Sequence, residues 1–434
     1  MRRFWTDREG NIALVFALAA VPIFGAMGVA IDYSMASAYR ADIQKSLDAT
    51  ALALTKIMPT DQATLDTVGN QFFQANLNSH NLSNLQLTIQ PDVGRLRVSA
   101  SGTYNVQMAN IIGAGTIDLS ATAEAKWNIG KVEIALALDN SGSMGSFSRM
   151  THLKEAAQNL LNVLESAAKE PDDAKVAIVP FDSVVNVGTS YVDQPWLWWD
   201  EWDSVNGTCS KSQYTSNTTC QNNAGIWTPK AHNNTNWQGC VRDRDQSNDV
   251  SDTAPDGTSA TRYPAWQCTN TVNSQKLVPM LPLTNNWTTL QNKVTEMTVA
   301  GCTNISIGLV WGWHVLSPTE LFTEGTAYDT ENMTKYIVLM TDGDNTKSRF
   351  VDTNCINVTT AQKNAINNRT STACTNIKNA GVKIYTIRLV SGNATLLQNC
   401  ASDPSMYYDV QDASELSGVF SAIGSEIASL HLSK

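Results

Sequence analysis

The chain has 434 residues, enough for two or three domains, and 42% of them are hydrophobic, which excludes a disordered chain. Asp and Glu outnumber Lys and Arg by 40 to 30, and the formal net charge is −10. That balance argues against a nucleic-acid-binding protein, which needs a basic face to neutralise phosphates. The mean hydropathy of −0.20 excludes a polytopic membrane protein.

The N-terminal region contains one segment that is long enough to cross a membrane. From Ile12 to Ile31 there are twenty residues without a charge, and as a helix they would be about 30 Å long, the thickness of a hydrocarbon core. Three arginines precede the segment and Asp32 follows it, so the positive-inside rule predicts export of everything after Asp32. A cleaved signal peptide would have a shorter apolar region. The sequence therefore predicts a cytoplasmic tip and an uncleaved transmembrane anchor over residues 1–32.

All eight cysteines lie after residue 208, in the part of the chain that this orientation exports. An even number of cysteines there predicts disulfides formed in an oxidising compartment. A zinc site is disfavoured because there is no Cys-x-x-Cys pair and there are only five histidines. Proximity in the sequence predicts three bridges, and elimination leaves a fourth: Cys209–Cys220, Cys240–Cys268, Cys374–Cys400 and, by elimination, Cys302–Cys355.

Residues 33–129 have the pattern of a small α+β unit next to the membrane. Apolar side chains recur at about helical spacing at Met35, Tyr39, Ile43, Leu47, Ala51 and Leu54. This spacing predicts that the helix continues beyond the anchor until Pro59 ends it. A weaker helical pattern covers Gln62–Asn76. Alternating apolar residues then predict three strands at Leu85–Ile89, Arg95–Ala100 and Thr116–Ala123.

From residue 130 to residue 434 the pattern changes to strands that alternate with helices. Apolar runs predict strands at Val132–Leu138, Lys175–Pro180, Tyr336–Met340 and Val382–Leu389. Amphipathic spacing predicts helices that include Thr151–Lys169 and Leu416–Leu430. This alternation predicts an α/β fold whose mostly parallel sheet is covered by helices on both faces. In such folds ligands bind at the carboxyl ends of the strands.

Residues 191–283 interrupt this alternation with a loop-rich insertion. The segment holds seven tryptophans and four cysteines and has no clear periodicity. The predicted disulfides would stabilise it, since such a segment lacks a conventional core of its own. Its tryptophans would either form an exposed recognition patch, because Trp is favoured in binding hot spots, or pack around the disulfides as a miniature core. Packing is the favoured interpretation.

Oxygen-bearing side chains follow two of the predicted strands. Asp139, Ser141 and Ser143 come directly after the first strand, and Asp342 follows a later one. Thr303 lies between them, at the start of an apolar helix. Carboxylates and hydroxyls are hard donors that suit Mg²⁺, Mn²⁺ or Ca²⁺ rather than Zn²⁺ or Cu²⁺. These five residues are therefore the predicted ligands of a divalent cation.

This Asp-x-Ser-x-Ser sequence, with a distant Thr and Asp, resembles the metal-ion-dependent adhesion site of von Willebrand factor A-type domains. The resemblance implies a doubly wound sheet and a site that holds a divalent cation, with Mg²⁺ as the first candidate and Mn²⁺ or Ca²⁺ as alternatives. In that family the two serine hydroxyls bind the metal directly, the aspartates commonly act through water, and a partner's Asp or Glu completes the coordination. The gap from Ser143 to Thr303 is longer than in a plain domain of this kind, because it contains the insertion.

The N-terminal sequence resembles the TadE/TadG-like proteins of tight-adherence pilus systems. The similar features are Gly10, the apolar run, Asp32, Asp42-Ile43-Gln44 and Asp48-Ala49-Thr50-Ala51-Leu52-Ala53, with further likeness in Trp311-Gly312-Trp313 and Cys400-Ala401-Ser402. The resemblance implies a bacterial envelope protein with a single inner-membrane anchor, whose C-terminal domain faces the periplasm or the outside. It also implies a function in assembling or anchoring adhesive pili and a pilus or envelope protein as partner. Pseudopilin members carry a Glu five residues after a processing Gly, and Val15 occupies that position here, so an uncleaved anchor is expected.

Two other functions are compatible with parts of the sequence. A secreted hydrolase could use Ser141 or Ser143 as a nucleophile, but no histidine lies in a motif that pairs it with a serine. A chaperone-like partner of a cytoplasmic ATPase is opposed by the predicted orientation and by the cysteine content. The sequence therefore predicts a binding protein that is not an enzyme.

Overall fold

The structure is a computed structural model that describes residues 10–57, 62–78, 82–92, 95–113, 115–126, 130–268, 276–318 and 321–431. The prediction that Pro59 ends the first helix lies outside these residues. The described chain forms two compact units, one from the residues up to 126 and one from residue 130 onward.

The N-terminal unit consists of two helices and a three-stranded antiparallel sheet. The helices are α1 (Gly10–Ile57) and α2 (Gln62–Asn76), and the strands, in spatial order, are β1 (Leu82–Asp92), β2 (Arg95–Asn105) and β3 (Thr116–Lys126). The predicted elements are all present, and the three strands are longer than the sequence indicated. Within the described residues, α1 alone is long and apolar enough to cross a membrane, as judged from length and composition.

The core of this unit forms between the second half of α1 and the sheet. Four members of the predicted stripe are buried there, namely Ile43, Leu47, Ala51 and Leu54. Tyr39 packs at the edge of the cluster. The prediction for Met35 was wrong, since its side chain is 44% exposed, and Ala36 next to it is buried instead.

The second unit is built on one mixed sheet. Its strands, in chain order, are β4 (Lys131–Asp139), β5 (Ala174–Phe181), β6 (Val185–Asn186), β7 (Leu197–Trp198), β8 (Gly207–Cys209), β9 (Trp227–Pro229), β10 (Cys240–Val241), β11 (Tyr263–Trp266), β12 (Leu281–Thr284), β13 (Met333–Thr341), β14 (Lys383–Leu389) and β15 (Tyr407–Val410). The sheet runs in the order β15-β14-β13-β4-β5-β6-β10-β11-β7, with β12 also paired to β5. The five strands from β15 to β5 are parallel to one another.

Helices contact both faces of this sheet. The helices of the second unit are α3 (Arg149–Ala167), α4 (Asp200–Val205), α5 (Asn217–Asn222), α6 (Trp287–Glu296), α7 (Ile305–Leu316), α8 (Thr360–Asn379), α9 (Ala394–Cys400) and α10 (Leu416–His431). Successive residues of β4 point to opposite faces. Ile134 and Leu136 therefore pack with α3 and α10, whereas Ala135 and Ala137 pack with α7. The mixed α/β architecture that the sequence predicted is present.

The insertion extends the main sheet, which the sequence did not reveal. Its strands β10, β11 and β7 continue the sheet beyond β6, and only β8 and β9 form a separate hairpin. Of the seven tryptophans, Trp196, Trp202 and Trp237 are buried and the others are half-buried. Packing, rather than an exposed patch, is thus the interpretation that the structure favours. All four predicted disulfides are confirmed.

Helix α7 is buried along its whole length. Its Gly308 packs against the ring of Phe181 so closely that an added Cβ would lie 2.4 Å from a ring carbon. Gly312, one turn later on the same helix, leaves an added Cβ 3.5 Å from its nearest neighbour, which is an ordinary contact. The helix therefore has room for a side chain at position 312 but not at position 308.

We expect Gly308→Ala to lower the free energy of unfolding by about 1–3 kcal/mol, because Phe181 must move to make room. Gly312→Ala is the matched control and should be neutral or stabilising by up to about 1 kcal/mol, since alanine favours the helix. Urea denaturation followed by circular dichroism measures both. Equal effects of the two substitutions would contradict the packing described here.

Candidate functional site

The candidate site lies where two central strands end. In the parallel part of the sheet the chain visits β4 first, then β5 on one side and β13 on the other. The chain leaves β4 towards β5 and leaves β13 towards β14, on opposite sides, so a crevice forms between the ends of β4 and β13. Asp139 is the last residue of β4, and Asp342 directly follows β13. The register, in which Leu138 pairs with Met340, places both aspartates at this crevice.

The two serines of the first loop contact Asp342 and each other. The hydroxyl oxygens of Ser141 and Ser143 are 3.1 Å apart. Ser143 donates a hydrogen bond of 2.5 Å to Oδ1 of Asp342. The structure thus brings together three of the five predicted residues through direct side-chain contacts.

Asp139 lies behind this group and is completely buried. Its carboxylate accepts hydrogen bonds from the backbone N–H of Ser141 at 2.7 Å and from the hydroxyl of Thr341 at 2.6 Å. Burial and the nearby charge of Asp342 raise the pKa of Asp139, and these hydrogen bonds oppose that effect. Through its bond to the backbone of Ser141, Asp139 holds the serine loop in place.

Asp342 is also buried, and a residue that the sequence analysis missed partly compensates its charge. Burial raises the pKa of Asp342, whereas hydrogen bonds from Ser143 and Arg149 oppose that effect. Nη1 of Arg149 lies 2.8 Å from Oδ2 of Asp342. Phe147 and Ser148 are in the left-handed region, with φ angles of 53° and 56°. This turn leads into α3, whose first residue is Arg149. Nothing in the sequence spacing indicated this contact.

Thr303 reaches the same point from the loop before α7. A Cβ built on Gly343 would lie 3.6 Å from the hydroxyl of Ser143 and 3.8 Å from that of Thr303, so both hydroxyls flank Gly343. Gly142 donates a backbone hydrogen bond to Gly301 at 3.0 Å, which joins the serine loop to the threonine loop. All five predicted residues thus lie around one crevice.

A second residue that the sequence analysis missed positions the threonine loop. Asn345 accepts a hydrogen bond of 2.7 Å from the backbone N–H of Ile305, at the first turn of α7. The backbone N–H of Thr303 donates to the hydroxyl of Thr346 at 2.8 Å. The segment after β13 therefore supplies Asp342 and also fixes the loop that carries Thr303.

The crevice opens into a cleft whose wall includes a disulfide. Cys302 and Cys355 both line the cleft and are bonded to each other. Ile356, the next residue, also lines the cleft and is 84% exposed. The bridge thus ties the loop after β13 to the loop that holds Thr303.

The donors at this crevice are suited to a hard cation. They comprise three hydroxyls and two carboxylates, and the described residues contain no cluster of three or more His, Cys, Asp or Glu that could hold a metal. A site of this composition depends on hydroxyl ligands, which leave the charge of a bound cation largely uncompensated. Such a cation can accept a further oxygen ligand from outside.

A buried His–Asp pair joins α7 to the insertion. Nδ1 of His314 lies 3.2 Å from a carboxylate oxygen of Asp252 in the insertion. Nε2 lies 2.5 Å from the hydroxyl of Tyr263. His314 is 1% exposed. The pair fastens the insertion to α7, and these contacts lend no support to the hydrolase alternative.

His314 also makes stability depend on pH. Burial lowers its pKa and the positive charge of Arg244 acts in the same direction, whereas Asp252 raises it; the net shift is downward. Below about pH 6.5, the ordinary value for histidine, the unfolded chain therefore binds a proton that the folded chain does not. The contribution of His314 to stability is complete above that pH and is lost as the pH falls below it.

We expect the free energy of unfolding of the wild type to fall more steeply between pH 6.5 and 5 than that of His314→Gln. Urea denaturation at a series of pH values measures the two slopes. His152→Gln, on the surface of α3, is the control and should keep the wild-type slope. Identical slopes in wild type and His314→Gln would contradict this assignment.

The N-terminal segment matches a known family. Residues 10–54 match the family model described as "Putative Flp pilus-assembly TadE/G-like". The chain therefore carries a TadE/G-like segment at its N-terminus, as the resemblance implied. No match to the chain was found among curated proteins.

Several solved structures resemble the chain at low sequence identity. The vWF domain of the type V pili tip protein Mfa5 from Porphyromonas gingivalis has 13% identity and a TM-score of 0.39, with 70% of this chain and 97% of that one covered. The pilus adhesin SpaC from Lactobacillus rhamnosus GG has 13% identity and a TM-score of 0.39, with 80% of this chain and 34% of that one covered. This chain thus spans about a third of the adhesin's length.

A third similar structure is proximal thread matrix protein 1 from the mussel byssus, with a zinc-occupied MIDAS motif. It has 12% identity and a TM-score of 0.34, with 69% of this chain and 46% of that one covered. With identities and TM-scores this low, the assignment of the site depends on its own residues.

Proposed function

We propose that the chain is a single-pass inner-membrane protein of the bacterial envelope that assembles or anchors adhesive pili. In this proposal residues 1–32 form the cytoplasmic tip and anchor, residues 33–129 a membrane-proximal unit, and residues 130–434 a doubly wound von Willebrand A-type domain. The insertion at 191–283 belongs to that domain, which faces the periplasm or the outside. The TadE/G-like match at residues 10–54 supports the proposal.

The domain would bind a protein partner through a divalent cation and would do no chemistry on it. The observation that carries this proposal is the convergence of oxygen donors from three separate segments, after β4, before α7 and after β13. Asp139, Ser141, Ser143, Thr303 and Asp342 would hold the ion. An Asp or Glu of a pilus or envelope protein would then bind to the ion.

Mg²⁺ is the proposed ion, with Mn²⁺ or Ca²⁺ as alternatives, because hydroxyl and carboxylate oxygens are the ligands that these hard cations prefer.

This chain's own net charge gives the cation a clear role. At −10, the protein has poor long-range attraction for an acidic partner, and a bound divalent ion supplies a local positive site. The carboxylates of Asp139 and Asp342 attract the ion, while the neutral serine and threonine hydroxyls leave much of its charge available to the partner.

Asp342→Asn is expected to lower the affinity for Mg²⁺ about 10- to 100-fold, since it removes a charged group next to the ion. Asp344→Asn is the matched control: Asp344 lines the same cleft but is paired with Lys363 at 2.7 Å. Isothermal titration of the full-length protein in detergent measures both. Equal losses, or none in either variant, would count against the assignment.

Arg149→Gln is expected to raise the affinity for Mg²⁺ about threefold to tenfold, because it removes a positive charge beside the proposed ion. Arg388→Gln serves as the control, since Arg388 pairs with Asp409 at the surface and should not affect binding. The same titration applies. Unchanged or weaker binding in Arg149→Gln would mean that the guanidinium does not oppose the ion.

The function itself is tested in cells that carry the substitutions. Asp342→Asn should abolish pilus-dependent attachment while the protein stays in the membrane with its four disulfides formed, and Asp344→Asn should attach like wild type. A chelator should mimic Asp342→Asn in wild-type cells and add little in the variant. Normal attachment by Asp342→Asn would overturn the proposed function.

A further inference from the structure

The loop between β2 and β3 of the N-terminal unit lies against the apolar part of α1. A Cβ built on Gly28 would lie 3.3 Å from Cβ of Met108. Gly28 belongs to the uncharged run that ends at Ile31, and at 1.5 Å per residue it lies about 5 Å inside the end of that run. The loop therefore reaches alongside a segment that is proposed to be in the membrane.

Asp32 holds this loop in place. Its carboxylate accepts hydrogen bonds from three successive backbone N–H groups, those of Gln107, Met108 and Ala109, at 3.0, 2.9 and 2.6 Å. The hydroxyl of Tyr104 donates a fourth at 3.1 Å. Asp32 is 1% exposed. Both oxygens of the carboxylate that directly follows the apolar run thus accept hydrogen bonds from the loop.

Hydrogen bonds to a carboxylate are charge-assisted and about twice as strong as those between neutral groups. The loop and the helix α1 are therefore joined by a strong, local interaction.

The loop has the composition of a membrane-contacting segment. The residues from 98 to 117 contain no charged side chain. Met108 is 50% exposed, as are the neighbouring apolar side chains of α1, with Met27 at 55% and Ile31 at 51%. The exposed apolar surface of α1 thus continues onto the loop.

We propose that the loop from 106 to 113 lies in the interfacial layer of the lipid bilayer and forms, together with α1, a second membrane contact of the N-terminal unit. This inference rests on the proposed anchoring of α1. Lipid is the occupant that the structure favours, because Met108 adjoins Gly28, at a depth that corresponds to the boundary between the headgroups and the acyl chains. Asp32 would fasten the loop at the boundary and so fix the orientation of the unit relative to the membrane.

Single cysteines in the full-length protein test the proposal. All eight native cysteines are in disulfides, so a new thiol can be labelled selectively with an environment-sensitive fluorophore without reduction. Met108→Cys reports on the loop, Val21→Cys on the middle of the apolar run, and Leu52→Cys on α1 far from it. Val21 and Leu52 are 67% and 63% exposed, which makes them matched sites. The labelled proteins are reconstituted in phosphatidylethanolamine–phosphatidylglycerol vesicles with or without nitroxide-labelled lipid.

We expect the nitroxide lipid to quench the labels at 108 and 21 and to leave the label at 52 unchanged. Quenching at 21 but not at 108 overturns the membrane contact and leaves the anchor intact. This holds even if the emission of the label at 108 indicates an apolar environment, since protein alone could then surround the label. No quenching at 21 overturns the anchor itself, and with it the membrane part of the proposed function.

Asp32→Asn in the Met108→Cys background tests the part played by the carboxylate. The amide replaces one acceptor oxygen by a donor, so the loop should be released, and quenching at 108 should fall. Quenching at 21 in the matching double variant should stay as before, since the helix does not need Asp32. Unchanged quenching at 108 would overturn the role assigned to Asp32.

Discussion

Two carboxyl groups, those of Asp139 and Asp342, are buried at the ends of adjacent strands. Hydrogen bonds from the surrounding loops offset the free-energy cost of burying them. Burial and mutual repulsion both disfavour the charged forms. The compensating groups are the Ser141 amide, the Thr341 hydroxyl, the Ser143 hydroxyl and the Arg149 guanidinium. A cation bound among these groups would remove the repulsion that they only reduce.

The insertion and α7 are fastened to the same edge. Asp243 of the insertion is buried and accepts hydrogen bonds from the side chain of Asn304 at 3.0 and 3.1 Å and from the backbone of Arg349 at 3.0 Å. Asn304 directly follows Thr303 and precedes α7. The insertion is therefore part of the wall that holds the threonine loop, and not an independent module attached to it. This explains why its tryptophans are packed and not displayed.

The sequence predicted those parts of the molecule that depend on local pattern. The strands and helices follow from apolar periodicity. Three of the disulfides follow from short separations along the chain, and Cys302–Cys355 follows by elimination. The five proposed ligands could be grouped because strand ends of a parallel sheet share one edge. The contact of Arg149 with Asp342 could not be predicted. It depends on a turn in which Phe147 and Ser148 have positive φ angles, and neither position is a glycine, the residue that usually indicates such a turn.

The other omissions also arise from long-range contacts. The two-residue strands β6, β7 and β10 are too short to leave a periodic signal, so their pairing with the sheet was not visible. The pairing of Asp252 with His314 joins residues 62 positions apart. Met35 fits the helical stripe by spacing, but the helix turns so that Ala36 faces the core instead.

The bridge between Cys302 and Cys355 makes the geometry of the cleft depend on redox conditions. It joins the two loops that form one wall beside Thr303, and disulfides of this kind persist only where thiols are not continually reduced. Without the bridge, hydrogen bonds such as those from Thr303 to Thr346 and from Ile305 to Asn345 would have to join these loops. The wall is therefore expected to be most rigid in an oxidising environment.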